Sequence, residues 1–172
     1  MKHSDFVSTS TRLMEAREPF LAIGAPGIGK SEGLVQAAHR AHMRVIVTHP
    51  VICEEVDFRG MPYMKDGKAG FAPFGFMREL VEAREPTVCV FEDMGQARLG
   101  VQAAVMQPWH LREIDGLPIS EFVTFCAATN RREDRAAVQG IVSALLDRCV
   151  CVLTLEVDAD ELARYLLVRN YS

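Results

Sequence analysis

The stretch PFLAIGAPGIGKSEGLVQAAHRAH, residues 19–42, decides the fold of this chain. It begins with an apolar run typical of a buried strand, passes through a glycine-rich loop and ends in a helix-like pattern. The loop fits the spacing G-x-x-x-x-G-K-[ST], and a strand before it with a helix after it is the context that this motif requires. The sequence therefore predicts a phosphate-binding loop at the carboxyl end of a buried strand.

The residue types of this loop suit an anionic ligand. Glycines let successive backbone N–H groups turn toward one anion, and the start of the following helix adds the positive end of its dipole. Lys30 can reach the β- and γ-phosphates of a nucleoside triphosphate, and the Ser31 hydroxyl can ligate Mg²⁺. We therefore expect ATP and Mg²⁺ as cofactors. The predicted cofactor-binding residues are Gly24, Ala25, Pro26, Gly27, Ile28, Gly29, Lys30, Ser31 and Glu32.

Length, charge and cysteine usage narrow the class of protein. The 172 residues are enough for one domain with a sizeable core, and a formal net charge of -4 gives no overall attraction to nucleic acid or anionic membranes. No apolar run approaches the roughly 18 residues of a membrane span, and the N-terminus lacks the apolar core of a secretion signal. The five cysteines form no C-x-x-C pair and most lie in apolar runs. We expect a cytoplasmic protein with reduced thiols and no membrane partner.

Strand-like and helix-like segments alternate along the chain. The predicted strands are residues 19–24, 44–49, 87–92, 122–128 and 149–156. The predicted helices are residues 5–17, 30–43, 75–84, 97–108, 134–147 and 159–168. Because the strands are nearly continuous in apolar character, this alternation predicts a three-layer α/β/α P-loop NTPase fold with a mostly parallel five-stranded sheet. Asp-Gly pairs within residues 59–74 and 112–120 predict two hairpins or turns.

A second acidic motif stands at the end of a predicted strand. In VCVFED, residues 88–93, four apolar residues precede Glu92 and Asp93. A phosphate-binding loop needs a carboxylate at the end of a neighbouring buried strand, to hold Mg²⁺ and to polarise the attacking water. These two acids are therefore the predicted metal-side and catalytic carboxylates, with Ser31 as the second metal ligand.

The run VCVFEDMGQARLGVQAAVMQ, residues 88–107, resembles the Walker B strand and following helix of AAA+ ATPases, in the branch that includes the MoxR-type and dynein-related domains. In that family the acids usually read Asp then Glu, whereas here they read Glu then Asp. The resemblance implies that Glu92 is the magnesium-side carboxylate and Asp93 the catalytic base. Because Asp93 is one methylene shorter than the usual Glu, the resemblance supports nucleotide binding better than fast turnover.

Two further positions match the same family. Asn130, in AATN at residues 127–130, stands where the family has its sensor-1 residue, which orients the attacking water or contacts the γ-phosphate. SALLDRC, residues 143–149, resembles the segment that carries the arginine finger, so Arg148 would reach a neighbouring subunit's nucleotide in a homo-oligomeric ring. Two alternatives stay open: Asn130 caps the following turn, and Arg148 bonds Asp147 or a helix carboxyl end.

The resemblance extends to VDFRGMPYMKDGKAGFAPF, residues 56–74, where related loops project toward the centre of a ring. The candidates for contacting a protein partner are Tyr63, Met64, Phe71 and Phe74, and the alternative is that they cap the core beneath a loop.

The expected domains are a nucleotide-binding core at residues 1–157 and a C-terminal helix at 158–172. That helix looks like the start of the family's helical lid, with Asp158 as its N-cap, and the lid is otherwise absent or truncated.

Three functions stay open at this stage, and a small-molecule kinase is a weaker fourth because it would need a dedicated acceptor site and an arginine-rich lid. The first is an ATPase of the AAA+ type that hydrolyses ATP in an oligomer to remodel a protein or nucleoprotein partner. The second is a nucleotide-dependent binding module or switch with weak hydrolysis, which the Glu92-Asp93 order and the missing lid favour. The third is a nucleic-acid-associated ATPase of the loader or transposition type, favoured by Arg131, Arg132 and Arg135, although the acids among them predict a solvated loop.

Overall fold

The fold is built on one parallel sheet, seen in a computed structural model that describes residues 1–134, 139–160, 163 and 167. The five strands are, in spatial order, β2 (Arg44–Thr48), β5 (Thr87–Phe91), β8 (Val123–Thr129), β1 (Phe20–Ile23) and β9 (Cys151–Thr154). Every pairing within this sheet is parallel. Because β8 lies between β5 and β1, the carboxyl ends of these three strands meet at one edge of the sheet.

Helices cover both faces of the sheet. On one face lie α1 (His3–Glu15) and α2 (Lys30–Arg40). On the other lie α3 (Glu55–Arg59), α4 (Gly75–Glu82), α5 (Leu99–Met106) and α6 (Ser143–Leu146). Side chains alternate between the two cores: Phe20 and Ala22 belong to the first, and Leu21 belongs to the second. The predicted three-layer α/β/α fold with a parallel five-stranded sheet is confirmed.

Both predicted hairpins are present. Strands β3 (Met61–Lys65) and β4 (Lys68–Ala72) pair antiparallel, as do the shorter β6 (Glu113–Ile114) and β7 (Leu117–Pro118). At each tip an Asp and a Gly have positive φ angles, 52° and 74° in the first and 45° and 83° in the second. Two successive positive φ angles are the requirement of a type I′ hairpin turn, which explains why Asp-Gly marks both tips.

The predicted helix over residues 134–147 is wrong across residues 139–142, and of the described residues 139–147 those that form an α-helix are Ser143–Leu146. Gly140 has a φ angle of +103°, which a helix cannot accommodate. The Gln102 side chain also donates to the Gly140 carbonyl at 2.9 Å and accepts from the Val142 amide at 3.0 Å. These bonds from α5 satisfy backbone groups that a helix would otherwise pair internally, so tertiary contacts override the local pattern.

The other helix predictions differ from the structure mainly at their ends. The predicted helix at 97–108 is α5, which begins at Leu99 and passes into a π-helical turn, Gln107–Leu111. The predicted helix at 159–168 lies largely outside the described residues. At its start, Asp158 Oδ1 accepts a hydrogen bond from the Asp160 amide at 3.1 Å, as an N-cap does. No helix in the described part of the chain has the length and apolar character needed to cross a membrane.

Candidate functional site

The glycine-rich loop connects β1 to α2 at the edge where the strand ends meet. Gly27 and Gly29 have φ angles of +74° and +90°, which glycine adopts without steric cost. At Gly24 a Cβ atom would lie 2.5 Å from the Ile28 Cδ1 atom and 2.8 Å from the Leu155 carbonyl oxygen. Glycine is thus required at two of these positions by backbone conformation and at the third by close packing.

Lys30 begins α2 and turns its ammonium group back into the loop. The Nζ atom donates to the carbonyl oxygens of Gly24 at 3.0 Å and Ala25 at 2.9 Å, and to Asn130 Oδ1 at 2.8 Å. The bond to Asn130 is possible because β1 pairs with β8, which places Ile23 beside Thr129. Burial lowers the pKa of Lys30, and the nearby acidic groups, chiefly Glu92, oppose this shift.

Glu92 follows β5 and is buried, and its amide donates to the Thr48 carbonyl of β2 at 2.8 Å. Burial raises the pKa of Glu92, whereas hydrogen bonding from the Ser31 side chain lowers it. Its Oε1 atom is buried and has no hydrogen-bond partner in the described part of the chain. An unsatisfied carboxylate oxygen beside a hydroxyl is an oxygen-only pair of the kind that Mg²⁺ prefers, so these two residues fit a magnesium ion.

Asp93 is tied to the same edge through two neighbouring side chains. Its Oδ1 atom accepts from Gln96 Nε2 at 3.1 Å, and Gln96 Oε1 accepts from Thr129 Oγ1 at 3.4 Å. Asp93 has a φ angle of 52°, in the left-handed region that Asp tolerates better than most residues. The half-buried carboxylate is therefore linked through Gln96 to Thr129 at the end of β8, in a backbone conformation of the kind found at functional sites.

Arg148 is not brought into this cluster. Its Nη1 atom donates to the Ala144 carbonyl of its own helix at 2.6 Å, and its Nε atom is buried without a described partner. Of the alternatives left open by the sequence, the structure shows the bond to a helix carbonyl rather than one to Asp147. None of the described contacts of Arg148 joins it to the phosphate-binding loop.

The structure shows an ion pair in the segment after Asn130, for which the sequence predicted a solvated loop. Arg131 donates from Nε and Nη2 to the Asp134 carboxylate, at 3.0 and 2.9 Å. Both residues lie close enough to Lys30 to act on its pKa, with Asp134 raising it and Arg131 lowering it. One feature of the sequence pointed to this proximity: Arg131 directly follows Asn130, the predicted sensor residue. Arg135, from the same basic segment, lies outside the described residues.

A cavity of about 650 Å³ opens beside the loop. The loop contributes residues 26–29, α1 contributes His3, Ser4 and Val7, and the segment after β9 contributes residues 156–158. Its volume is in the range of pockets that hold small molecules and cofactors. The sequence analysis did not identify the α1 residues of this cavity. No motif contains them, because they reach the cavity only through the packing of α1 on α2. The chain thus combines a phosphate-binding loop, a carboxylate-hydroxyl pair and an adjoining cavity at one edge of the sheet.

Solved structures share this fold. The chain is similar to the RuvB Holliday junction branch migration motor of Thermotoga maritima, with 18% identity and a TM-score of 0.63 over 97% of this chain and 48% of that chain. It is also similar to NtrX from Brucella abortus, solved in complex with ADP, with 14% identity and a TM-score of 0.63 over 96% of this chain and 39% of that chain. At these identities the likeness establishes the fold, and the chain spans at most about half of these relatives. No protein-family model and no curated protein matches by sequence.

Proposed function

We propose that the chain is an ATP-binding core of the AAA+ type, which hydrolyses ATP with Mg²⁺ in an oligomer to remodel a partner. The observation that carries this proposal is the bond from Lys30 Nζ to Asn130 Oδ1 at 2.8 Å, with Glu92 and Ser31 alongside. It joins the phosphate-binding loop to the end of β8, where the sequence predicts the residue that senses the γ-phosphate. The fold shared with RuvB and with ADP-bound NtrX supports the assignment to nucleotide chemistry.

Each residue of the cluster has a role in this proposal. Lys30 exchanges its neutral oxygen acceptors for the β- and γ-phosphates, which are stronger acceptors because they are charged. Ser31 and Glu92 would hold Mg²⁺, which when bound neutralises charge on the phosphate oxygens. Asn130 orients the attacking water, and Asp93 accepts its proton. The cavity of residues 26–29 and α1 receives the base and ribose.

Oligomer formation and partner binding rest on two features, Arg148 and the β3–β4 hairpin. The half-buried Arg148 side chain donates a hydrogen bond only to its own helix in the described structure, so we place its role in hydrolysis at the nucleotide of a neighbouring subunit. The β3–β4 hairpin carries outward-facing apolar side chains: Met61, Tyr63, Met64 and Phe71 are 53%, 47%, 71% and 37% exposed. These exposures argue against the alternative that the hairpin side chains cap the core, and they suit contact with a protein partner, whereas the fourth candidate, Phe74, lies after the hairpin and is half-buried.

A second candidate is a nucleotide-dependent switch with weak hydrolysis. The observation that favours it is Asp93, whose carboxylate is short and already bonded to Gln96 at 3.1 Å. A base that must leave such a bond to reach water is displaced from its working position, and displacement of about 1 Å can cost a large factor in rate. The nucleic-acid alternative has less support, because Arg131 of the basic segment is paired with Asp134.

The experiment that tests the proposal is phosphate release from ATP with Mg²⁺, measured over a series of protein concentrations for the wild type, Lys30→Ala and Arg148→Ala. Specific activity that rises with concentration and falls in both variants supports a shared active site between subunits. Nucleotide binding without turnover at any concentration supports the switch instead. Undiminished activity in Lys30→Ala contradicts both, because both place ATP on the same loop.

A further inference from the structure

A second cavity, of about 340 Å³, lies at the opposite edge of the sheet from the phosphate-binding loop. It opens beside Pro19 and Val123, at the amino ends of β1 and β8. Its charged lining comes from Arg17, which follows α1, from Arg112, which follows the π-helical turn, and from the exposed Glu121, whose carboxylate forms no ion pair in the described part of the chain. This cavity shares no lining residue with the one beside the loop, so it constitutes a separate candidate site.

The two arginines bring positive charge that the described structure leaves largely unpaired. Arg17 Nη1 donates to the Glu121 carbonyl at 2.7 Å, and Arg112 Nη2 donates to the Ser120 carbonyl at 2.9 Å. A guanidinium has five N–H donors, and in the described part of the chain neither arginine forms an ion pair with a carboxylate. Arg112 is half-buried, and its pKa is lowered by burial and by the charge of Arg17. An anion would relieve this repulsion.

The side chain of Trp109 lies in the wall of the same cavity. The side chain is buried, and its Nε1 atom has no hydrogen-bond partner in the described residues. Its ring stacks on Phe125 with centroids 5.7 Å apart, and the Arg112 guanidinium lies 5.2 Å from the Phe125 centroid. The two stacked rings form one wall of the cavity and fix the position of the Arg112 guanidinium, so an anion bound here meets a pre-organised donor group.

The backbone at both arginines is one that arginine seldom adopts. Arg17 and Arg112 have φ angles of 59° and 58°, in the left-handed region that favours glycine or asparagine. After α1 the Glu18 amide bonds to the Leu13 carbonyl at 2.9 Å, which makes Arg17 the residue of a helix-ending motif where glycine is commonest. Two such positions at the ends of different helices converge on one cavity, which points to a role for their side chains.

We propose that this cavity binds a small oxyanion, a carboxylate or phosphate group, between the guanidinium groups of Arg17 and Arg112. The site does not depend on nucleotide at the phosphate-binding loop. Charge-assisted bonds from guanidinium groups to carboxylate or phosphate oxygens are among the stronger hydrogen bonds in proteins. Loss of one such arginine should therefore weaken binding by about tenfold or more.

Trp109 is the only tryptophan of the chain, so its fluorescence reports directly on this cavity. The experiment is a titration of the full chain, without nucleotide, with inorganic phosphate and separately with succinate, at ionic strength held constant with sodium chloride. The expected result is a saturable change in Trp109 emission with at least one of the two anions. Saturation by phosphate alone or by succinate alone identifies which oxyanion group the cavity prefers. A change that is absent, or no larger than chloride produces, overturns the proposal.

Three variants make the test specific. Arg112→Gln and Arg17→Asn should each raise the half-saturation concentration by about tenfold or more. Asparagine tolerates the left-handed backbone of position 17, so Arg17→Asn should keep the wild-type melting temperature and separate binding from folding. Arg84→Gln is the matched control, because Arg84 is exposed, precedes β5 and does not line the cavity. Equal affinity in Arg17→Asn and the wild type, or equal weakening in Arg84→Gln, would contradict the site.

Discussion

At the scale of single residues, the candidate site is a set of polar groups that the fold holds in buried or strained positions. Lys30 is buried with its ammonium bonded to three neutral oxygens, and Glu92 is buried with one oxygen that has no hydrogen-bond partner among the residues the structure describes. Each arrangement disfavours the charged form of the side chain, because burial removes water that would solvate it. A phosphate group and a divalent cation would supply the missing opposite charges, which is why the cluster suits a magnesium nucleotide.

Substitution of Asn130 should separate nucleotide binding from hydrolysis. Asn130→Ala removes one of the three acceptors of Lys30 but leaves the two loop carbonyls, so we expect nucleotide affinity to change little and turnover to fall by about a hundredfold. Asn130→Asp places a charge next to Lys30, which should hold the lysine and repel phosphate, so binding itself should weaken. Fluorescent ADP binding and phosphate release measure the two effects. Equal losses of affinity in both variants would contradict the assigned role.

Substitution of Glu92 should stabilise the protein while abolishing hydrolysis. Burial raises the pKa of Glu92, so its ionisation above the unfolded value of about 4.3 costs stability, and Glu92→Gln removes that cost. We expect a higher melting temperature than the wild type at neutral pH without nucleotide or Mg²⁺. The difference should shrink as the pH falls through the raised pKa of folded Glu92 and should vanish below about 4, where Glu92 is neutral in both the folded and the unfolded protein. Thermal unfolding across this pH range checks the prediction, and a lower melting temperature at pH 7 would contradict it.

At the scale of elements, the sequence predicts those features that a local pattern of residue types determines. The glycine loop, the five strands and both Asp-Gly hairpins follow from residue types at short spacing, and the structure contains them all. The helix expected at 134–147 is absent at residues 139–142 because Gln102, distant in sequence, bonds the backbone at Gly140 and Val142. The contact between Lys30 and Asn130 depends likewise on strand order, which no local pattern contains.

The β3–β4 hairpin offers a test of which side chains face outward. Met64 is 71% exposed, whereas Phe58 at the base of the hairpin is fully buried against Phe76 and Phe91. Met64→Ser should change the free energy of unfolding by no more than about 0.5 kcal/mol. Phe58→Ala should destabilise by about 3–5 kcal/mol, because it removes buried ring contacts and leaves a cavity. Urea denaturation measures both, and a large loss in Met64→Ser would mean that the hairpin caps the core.

At the scale of the whole molecule, the two edges of the sheet carry different chemistry. The carboxyl edge holds Lys30, Asn130 and the two acids, and the amino edge holds the arginine-lined cavity. The carboxyl edge of one chain lacks a described contact with Arg148, the residue that the resemblance to AAA+ ATPases assigns to the transition state. If Arg148 works at all in hydrolysis, it must work on another subunit.

Mixing two inactive variants tests this directly. Lys30→Ala subunits lack the phosphate-binding lysine but keep Arg148, whereas Arg148→Ala subunits keep an intact loop. In a mixed oligomer some interfaces pair an intact loop with an intact arginine, so we expect phosphate release well above the sum of the two variants measured separately. The recovered activity should rise with total protein concentration, because assembly is a mass-action step. Activity that never exceeds that sum, with Arg148→Ala inactive and oligomers still formed, would mean that Arg148 serves its own chain through its bond to α6.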